Sequence, residues 1–299
     1  MSRRLQSPTY AERKRKRRIY AAILGIVALT TWVFALERLV SLPTFAIESV
    51  GVFGADSPTT PLLEAAAMHA LQGSYFGVFP RSSILIYPKS QVLAAIRSVS
   101  PQIDSVVIRR DGLHSLIVSV NQKTPAALVC ATLPDFDGTD LSDPDLDSCY
   151  LADATGFIYA PADGMAISSY PRYYIPDLSD TGTSTIIGAY ATSTDLFASL
   201  QSVQTGMHDA GLDVQGILLK PGGEYEAYVI EPAAPGSDAT DAGTIVVYMN
   251  DTGVLADEVA NLAAFWHAMT DPKRDGGPVK GFEYIDLRYG TNVFYKATK

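Results

Sequence analysis

The chain has 299 residues, 47% of them hydrophobic and 10% aromatic, room for one large domain or two modest ones and enough to exclude a coreless peptide. Its net charge of −9 hides an asymmetry: residues 1–18 hold eight bases and one acid, +7, while residues 19–299 carry 15 bases against 31 acids, −16. Two parts so unlike in sign face different surfaces.

The first predicted element is "IYAAILGIVALTTWVFAL", residues 19–36, without one charge. As a helix it spans roughly 27 Å, close to the hydrocarbon thickness of a bilayer. Tyr20 and Trp32 sit near its ends, as interfacial aromatics do, and Glu37 and Arg38 close the far side. The positive-inside rule then puts the basic tail, 1–18, in the cytoplasm and everything after about residue 40 outside. A cleaved signal peptide is the nearest alternative, with "VFA" at 33–35 as its cleavage-like site, but the apolar stretch exceeds the usual length of roughly 7–15 residues. A buried soluble helix does not adjoin a basic cluster. The run "RKRKRR" is explained more simply by anionic lipid headgroups than by nucleic acid, and no nucleic-acid partner is expected.

After Pro43 the elements become short and regular. "FAIESVGVFG" (45–54) reads as a strand ending in Gly. Residues 57–73 read as a helix, with Pro61 in the first turn, Leu63, Ala67 and Leu71 on one face and Gly73 as terminator. Residues 88–99 are a second helix with Val92, Leu93 and Ile96 on one side. "IDSVVIRR" and "SLIVSVNQ" follow as strands joined across Asp111-Gly112, a hairpin signal. This β-α-α-β-β order predicts a small α+β module.

From residue 126 the chain reads mostly as strands: "AALVCATL", "CYLAD", "GFIYAPA", "LDVQGILLK", "EYEAYVI", "TIVVYMN", "FEYIDLRY" and "NVFYK". Two helices interrupt them, one holding Leu196, Leu200, Val203 and Met207, the other Leu255, Val259, Leu262, Trp266 and Met269. Each has a single apolar stripe, so each is expected to pack on a sheet. "EPAAPGSDATDAG" (231–243) reads as a loop insert. The fold class expected is α+β.

Cys130 and Cys149 flank an acidic loop. In an oxidising compartment they can pair and staple its base; two free thiols are the alternative. The loop's "DFDGTD" departs from the spacing of a calcium loop and lacks the later bidentate Glu, so a solvated acidic insert is expected. Asp180 and Asp251 each open a "DTG", the mark of aspartic peptidases. Such a dyad needs two like settings on buried strands. Asp180 sits in the polar "LSDTGTST", whereas Asp251 precedes a striped helix and is expected to cap it. The four histidines, His69, His114, His208 and His267, are scattered, and no catalytic, metal or cofactor motif is present, so no enzyme, metal or cofactor is expected.

A basic tail, one membrane helix, a β-α-α-β-β module opening "FAIESVGVFG" and a β-rich domain closing "YIDLRYGTNVFYK" together resemble the bacterial cell-division family FtsQ, called DivIB in some bacteria. The resemblance covers 44–299 in order, with "YIDLRYG" its most specific string; the stretches 134–148 and 231–243 depart from the family pattern. It implies a POTRA domain, a protein-docking fold, at 44–123 and an FtsQ-type β-domain at 124–299. It further implies a non-enzymatic scaffold at the division septum, anchored in the cell membrane with its N-terminus cytoplasmic. Its partners would be the coiled-coil division proteins, FtsB- or DivIC-like and FtsL-like, with other divisome members at the POTRA domain. Matched residue by residue, partner binding falls to Arg288 and Tyr289, then Gly290, Val293 and Tyr295. Ile285, Leu287 and Tyr289 are expected to face the core, and Tyr284, Asp286 and Arg288 to look outward. The competing readings are a membrane-anchored aspartic peptidase using the two DTG motifs and a POTRA-bearing assembly factor. For the latter's barrel too few residues remain.

Overall fold

The computed structural model describes residues 10–134, 148–162, 170–176, 178, 186–230, 243–251, 254–275, 277, 279 and 281–298. Most of the acidic loop, the insert 231–242 and Asp180 lie outside these. The described chain is α+β, with five helices and one large sheet, and divides into two compact units, 1–122 and 123–299.

The first unit opens with helix α1 (Tyr10–Val40), 31 residues that contain the whole uncharged segment. Its apolar window has a mean hydropathy of 2.2 and no buried residue. Such a helix is long and apolar enough to cross a membrane or to serve as a signal sequence. Then follow β1 (Ser49–Phe53), α2 (Thr60–Ala70), the short strands β2 (Ser74–Tyr75) and β3 (Phe79–Pro80), α3 (Lys89–Arg97), β4 (Ile103–Asp111) and β5 (Ser115–Gln122). The sheet order is β1-β5-β4, with β5 parallel to β1 and antiparallel to β4. Alternate residues of these strands (Val50, Val52, Val106, Ile108, Leu116, Val118, Val120) meet Leu63 and Ala67 of α2 and Val92 and Ile96 of α3. The two periodicities of strand and helix thus close one core. The first strand is shorter than the sequence suggests, because Pro43–Phe45 form a 3-10 turn. The β2-β3 hairpin was not expected, since two-residue strands carry no period.

The second unit runs β6 (Ala127–Cys130), β7 (Cys149–Ala152), β8 (Ile158–Pro161), β9 (Arg172–Tyr174), α4 (Thr194–Asp209), β10 (Asp213–Lys220), β11 (Glu224–Ile230), β12 (Thr244–Asn250), α5 (Leu255–Thr270), β13 (Phe282–Tyr289) and β14 (Asn292–Ala297). They form a nine-stranded sheet in the order β14-β13-β12-β11-β10-β9-β6-β7-β8. Only β9 was missed, three residues being too few to alternate visibly. Strands β9 and β10 are parallel, as are β12 and β13, so each pair needs a crossover, and α4 and α5 supply them. Both crossovers step the same way along the sheet from like-directed strands, so right-handed connection puts both helices on one face. There Phe197, Leu200, Val203 and Met207 join Val259, Leu262 and Trp266 over Ile217, Ala227, Val247 and Ile285. The helices touch closely: a Cβ on Gly206 would stand 2.5 Å from Val259 Cγ1.

Cys130 lies directly opposite Cys149 in the β6-β7 register, and the two are joined by a disulfide, Cα to Cα 4.1 Å. Both are buried with Tyr159, Tyr174 and Leu218 in a smaller core. The bond closes a loop of sequence separation 19, so Cys130→Ala/Cys149→Ala should lose ~3 kcal/mol by the chain-entropy argument. Urea unfolding of the oxidised and double-variant proteins measures this; equal midpoints would show that the bridge adds nothing.

Candidate partner-docking edge

The sheet ends on β14, and the residues singled out by the sequence gather there. Strands β13 and β14 join through Gly290-Thr291, with Tyr289 opposite Asn292 and Gly290 at φ +69°. Positive φ is free for Gly and strained for most residues, which suits so tight a turn. Asn261 of α5 donates its side-chain N–H to the Gly290 carbonyl at 3.3 Å, tying the turn to the helix.

On the helix side, Ile285 and Leu287 are buried as expected, and Val293 packs against the same core. Tyr295 lies beside Phe265 of α5 (5.1 Å between centroids) and Phe282 (5.7 Å), while Phe282 stacks on Trp266 at 5.6 Å. Tyr295 still keeps 40% of its surface exposed. The strand is thus glued along one face by aromatic contacts.

Two expectations about facing are corrected. Tyr289 does not join the core: it is 59% exposed and meets the equally open Phe294 (53%) edge-on at 5.2 Å. The cause is a register shift between Asp286 and Tyr289, which breaks the alternation. Nor does Asp286 look out to solvent; it is buried beneath Arg288. The Arg288 guanidinium donates to both Asp286 oxygens, at 2.9 and 2.8 Å, reaches Glu224 at 3.3 Å and lies 5.2 Å over the Tyr248 ring. Burial pushes the Asp286 carboxyl up, but the Arg288 hydrogen bonds outweigh it and hold the group below the usual range. Bonding to Asp286 lifts the guanidinium above its already high value, so Arg288 is permanently charged and internally engaged. Phe294, which sequence matching passed over, is more available than Arg288.

Behind this pair lies Glu258, in the first turn of α5 and only 6% exposed. It accepts from the Asn250 backbone N–H, while its Oε2 has no hydrogen-bond partner among the described residues. Burial pushes its carboxyl up to about 7; the Asn250 bond pulls back, and the Asp286 charge adds to the rise. A carboxylate there penalises the fold once ionised.

Asp251 does not cap α5. The helix begins at Leu255 with Val254 before it and no side-chain cap. Asp251 still belongs to the β11-β12 hairpin: its N–H donates to the Gly223 carbonyl at 2.9 Å, and its carboxylate folds onto Gly223. It opens onto a cleft of about 400 Å³ with Thr192, Lys220 and Tyr225, where no second carboxylate stands among the described residues. Nor, among those residues, do three His, Cys, Asp or Glu side chains converge as a metal site would need. A scan against models of known protein families finds no match for the chain, and a search of curated proteins finds none either.

Two outcomes follow for stability. Arg288→Ala leaves Asp286 buried and unpaired, and should cost about 2 kcal/mol in urea unfolding; a neutral result would mean that the pair is solvated. For Glu258 the ordinary value is 4.5 and the folded value about 7. Between them the folded state binds more protons than the unfolded chain, so this group's contribution falls as pH rises through that window. Glu258→Gln keeps the acceptor for Asn250 and removes the charge. It should stabilise on the order of 2 kcal/mol at pH 8 and be neutral at pH 4, read from paired denaturation curves.

Proposed function

We propose that the chain is a non-enzymatic, membrane-anchored docking protein of the FtsQ/DivIB kind, inserted with its N-terminus in the cytoplasm and acting outside the cell membrane at the division septum. The observation that carries the reading is the open edge at β14, flanked by the exposed rings of Tyr289, Phe294 and Tyr295. An unpaired edge offers a row of backbone donors and acceptors that another chain satisfies by adding a strand, and exposed aromatics supply most of the binding energy in such contacts. The occupant proposed is a segment of a small coiled-coil division protein of the FtsB/DivIC or FtsL type. The β-α-α-β-β order and β1-β5-β4 sheet of the first unit support its reading as a POTRA domain, which would take other divisome members. The +7 tail beside an apolar helix supports the orientation and contact with anionic headgroups. The proposal gives Asp180 and Asp251 no chemistry.

Because Arg288 is needed by the fold, the test uses Tyr289→Ala and Phe294→Ala in the full-length chain, co-expressed with coiled-coil division proteins and recovered in detergent. Each variant should weaken capture by about 2 kcal/mol, enough to lose the partner from a pull-down, while unfolding midpoints stay put. Recovery undiminished in the double variant would place docking elsewhere.

A further inference from the structure

The β2-β3 hairpin holds the most exposed large side chain among the described residues. Its strands pair Ser74 with Pro80 and Tyr75 with Phe79, and Val78 N–H closes the turn on the Tyr75 carbonyl at 3.0 Å. At the tip Phe76 is 97% exposed and adopts φ +52°, the one positive value outside glycine among the described residues. A bulky residue in that region is a strained outlier, and such strain persists where the position serves a purpose. Here it turns an aromatic ring away from the unit's own core. Val78, next along, is 45% exposed.

The hairpin's neighbour gives the ring a destination. Gly77 and Val78 share a groove with Val33, Phe34 and Glu37 of α1, within the same compact unit. Glu37 is the first charge after the apolar segment, and Val33 lies four residues before it, about 6 Å back along the helix axis. The tip therefore stands level with the last turns of the apolar helix, not beyond them. Interfacial segments bury their apolar faces to a depth of about 5–10 Å at the headgroup–acyl boundary, which matches this level. At the hairpin's base, Arg81 lies 5.2 Å over the ring of Tyr75, a pairing of cation and amphipathic aromatic suited to the headgroup zone.

We infer that the β2-β3 tip is a second membrane contact, with Phe76 and Val78 inserted in the outer leaflet beside α1. The bilayer is the occupant because the groove continues onto the helix that enters it. With one helix alone, the first unit could swivel about the chain at residues 41–46; a second point of contact fixes which of its faces points away from the lipid. The inference rests on α1 spanning the membrane.

The two native cysteines are joined and buried, so one added cysteine takes a label selectively. The full-length chain carrying Phe76→Cys, Val78→Cys, Val27→Cys or Asp104→Cys is labelled with an environment-sensitive NBD dye and reconstituted in phosphatidylcholine–phosphatidylglycerol vesicles. Quenching is read from lipids spin-labelled near the headgroup end of the acyl chain and from aqueous iodide. Labels at 76 and 78 should shift to the blue, lose most emission to the spin-labelled lipid and resist iodide, while the label at exposed Asp104 does the reverse. If the dye at Val27 reports lipid but those at 76 and 78 behave like 104, the hairpin contact is refuted and the anchor stands. If the dye at Val27 also reports water, both fall.

Discussion

The packing of α5 across the end of the large sheet governs the candidate docking edge. Because β12 and β13 run parallel, the chain must cross over between them, and α5 is that crossover. Its stripe of Leu255, Val259, Leu262 and Trp266 is buried on the sheet, and Phe265 reaches beyond it to Phe282 and Tyr295. Those contacts hold β14 by one face and leave its outer hydrogen-bonding edge open. Gly206 matters in the same way at a distance, since its missing side chain lets α4 stand against Val259 and keep α5 in place.

Charge at this edge is spent inward. Arg288 neutralises Asp286, touches Glu224 and covers Tyr248, so its role is to close the surface behind the hairpin. Lys296 is likewise paired with Glu283, at 2.8 Å. What remains available is aromatic and backbone, a surface suited to an added strand with apolar side chains. The unpartnered oxygen of Glu258 beneath it makes the support of the edge sensitive to pH, without making it a site.

The first unit solves a different problem. Its small core is closed by two short helices on a three-stranded sheet, and its outer features, the exposed face of α1 and the strained hairpin tip, are apolar where a soluble domain would be polar. A bilayer answers both with one solvent. The second unit shows no comparable helix among its described residues; its apolar stripes are turned inward.

The sequence by itself determined what depends on neighbours along the chain. The stripes of α4 and α5, the alternation of β4, β5 and β10 to β14, the hairpin at Gly112 and the charge-free span of α1 were legible because each is written at a period of 3.6 or 2, or as an unbroken run. What a few residues cannot write was missed: β2, β3 and β9 are too short to alternate. Tertiary structure decided the rest. Whether Cys130 and Cys149 pair was open until β6 and β7 set them opposite each other. The bulge after Asp286 turned Tyr289 outward against its place in the alternation, and the β11-β12 ladder kept Asp251 from the helix that follows it. Burial of Asp286 took Arg288 from the surface, because an unpaired carboxylate under a sheet costs more than a lost contact outside it. Periodicity is local and free of partners, whereas pairing, register and the satisfaction of buried charge exist only once distant segments have met.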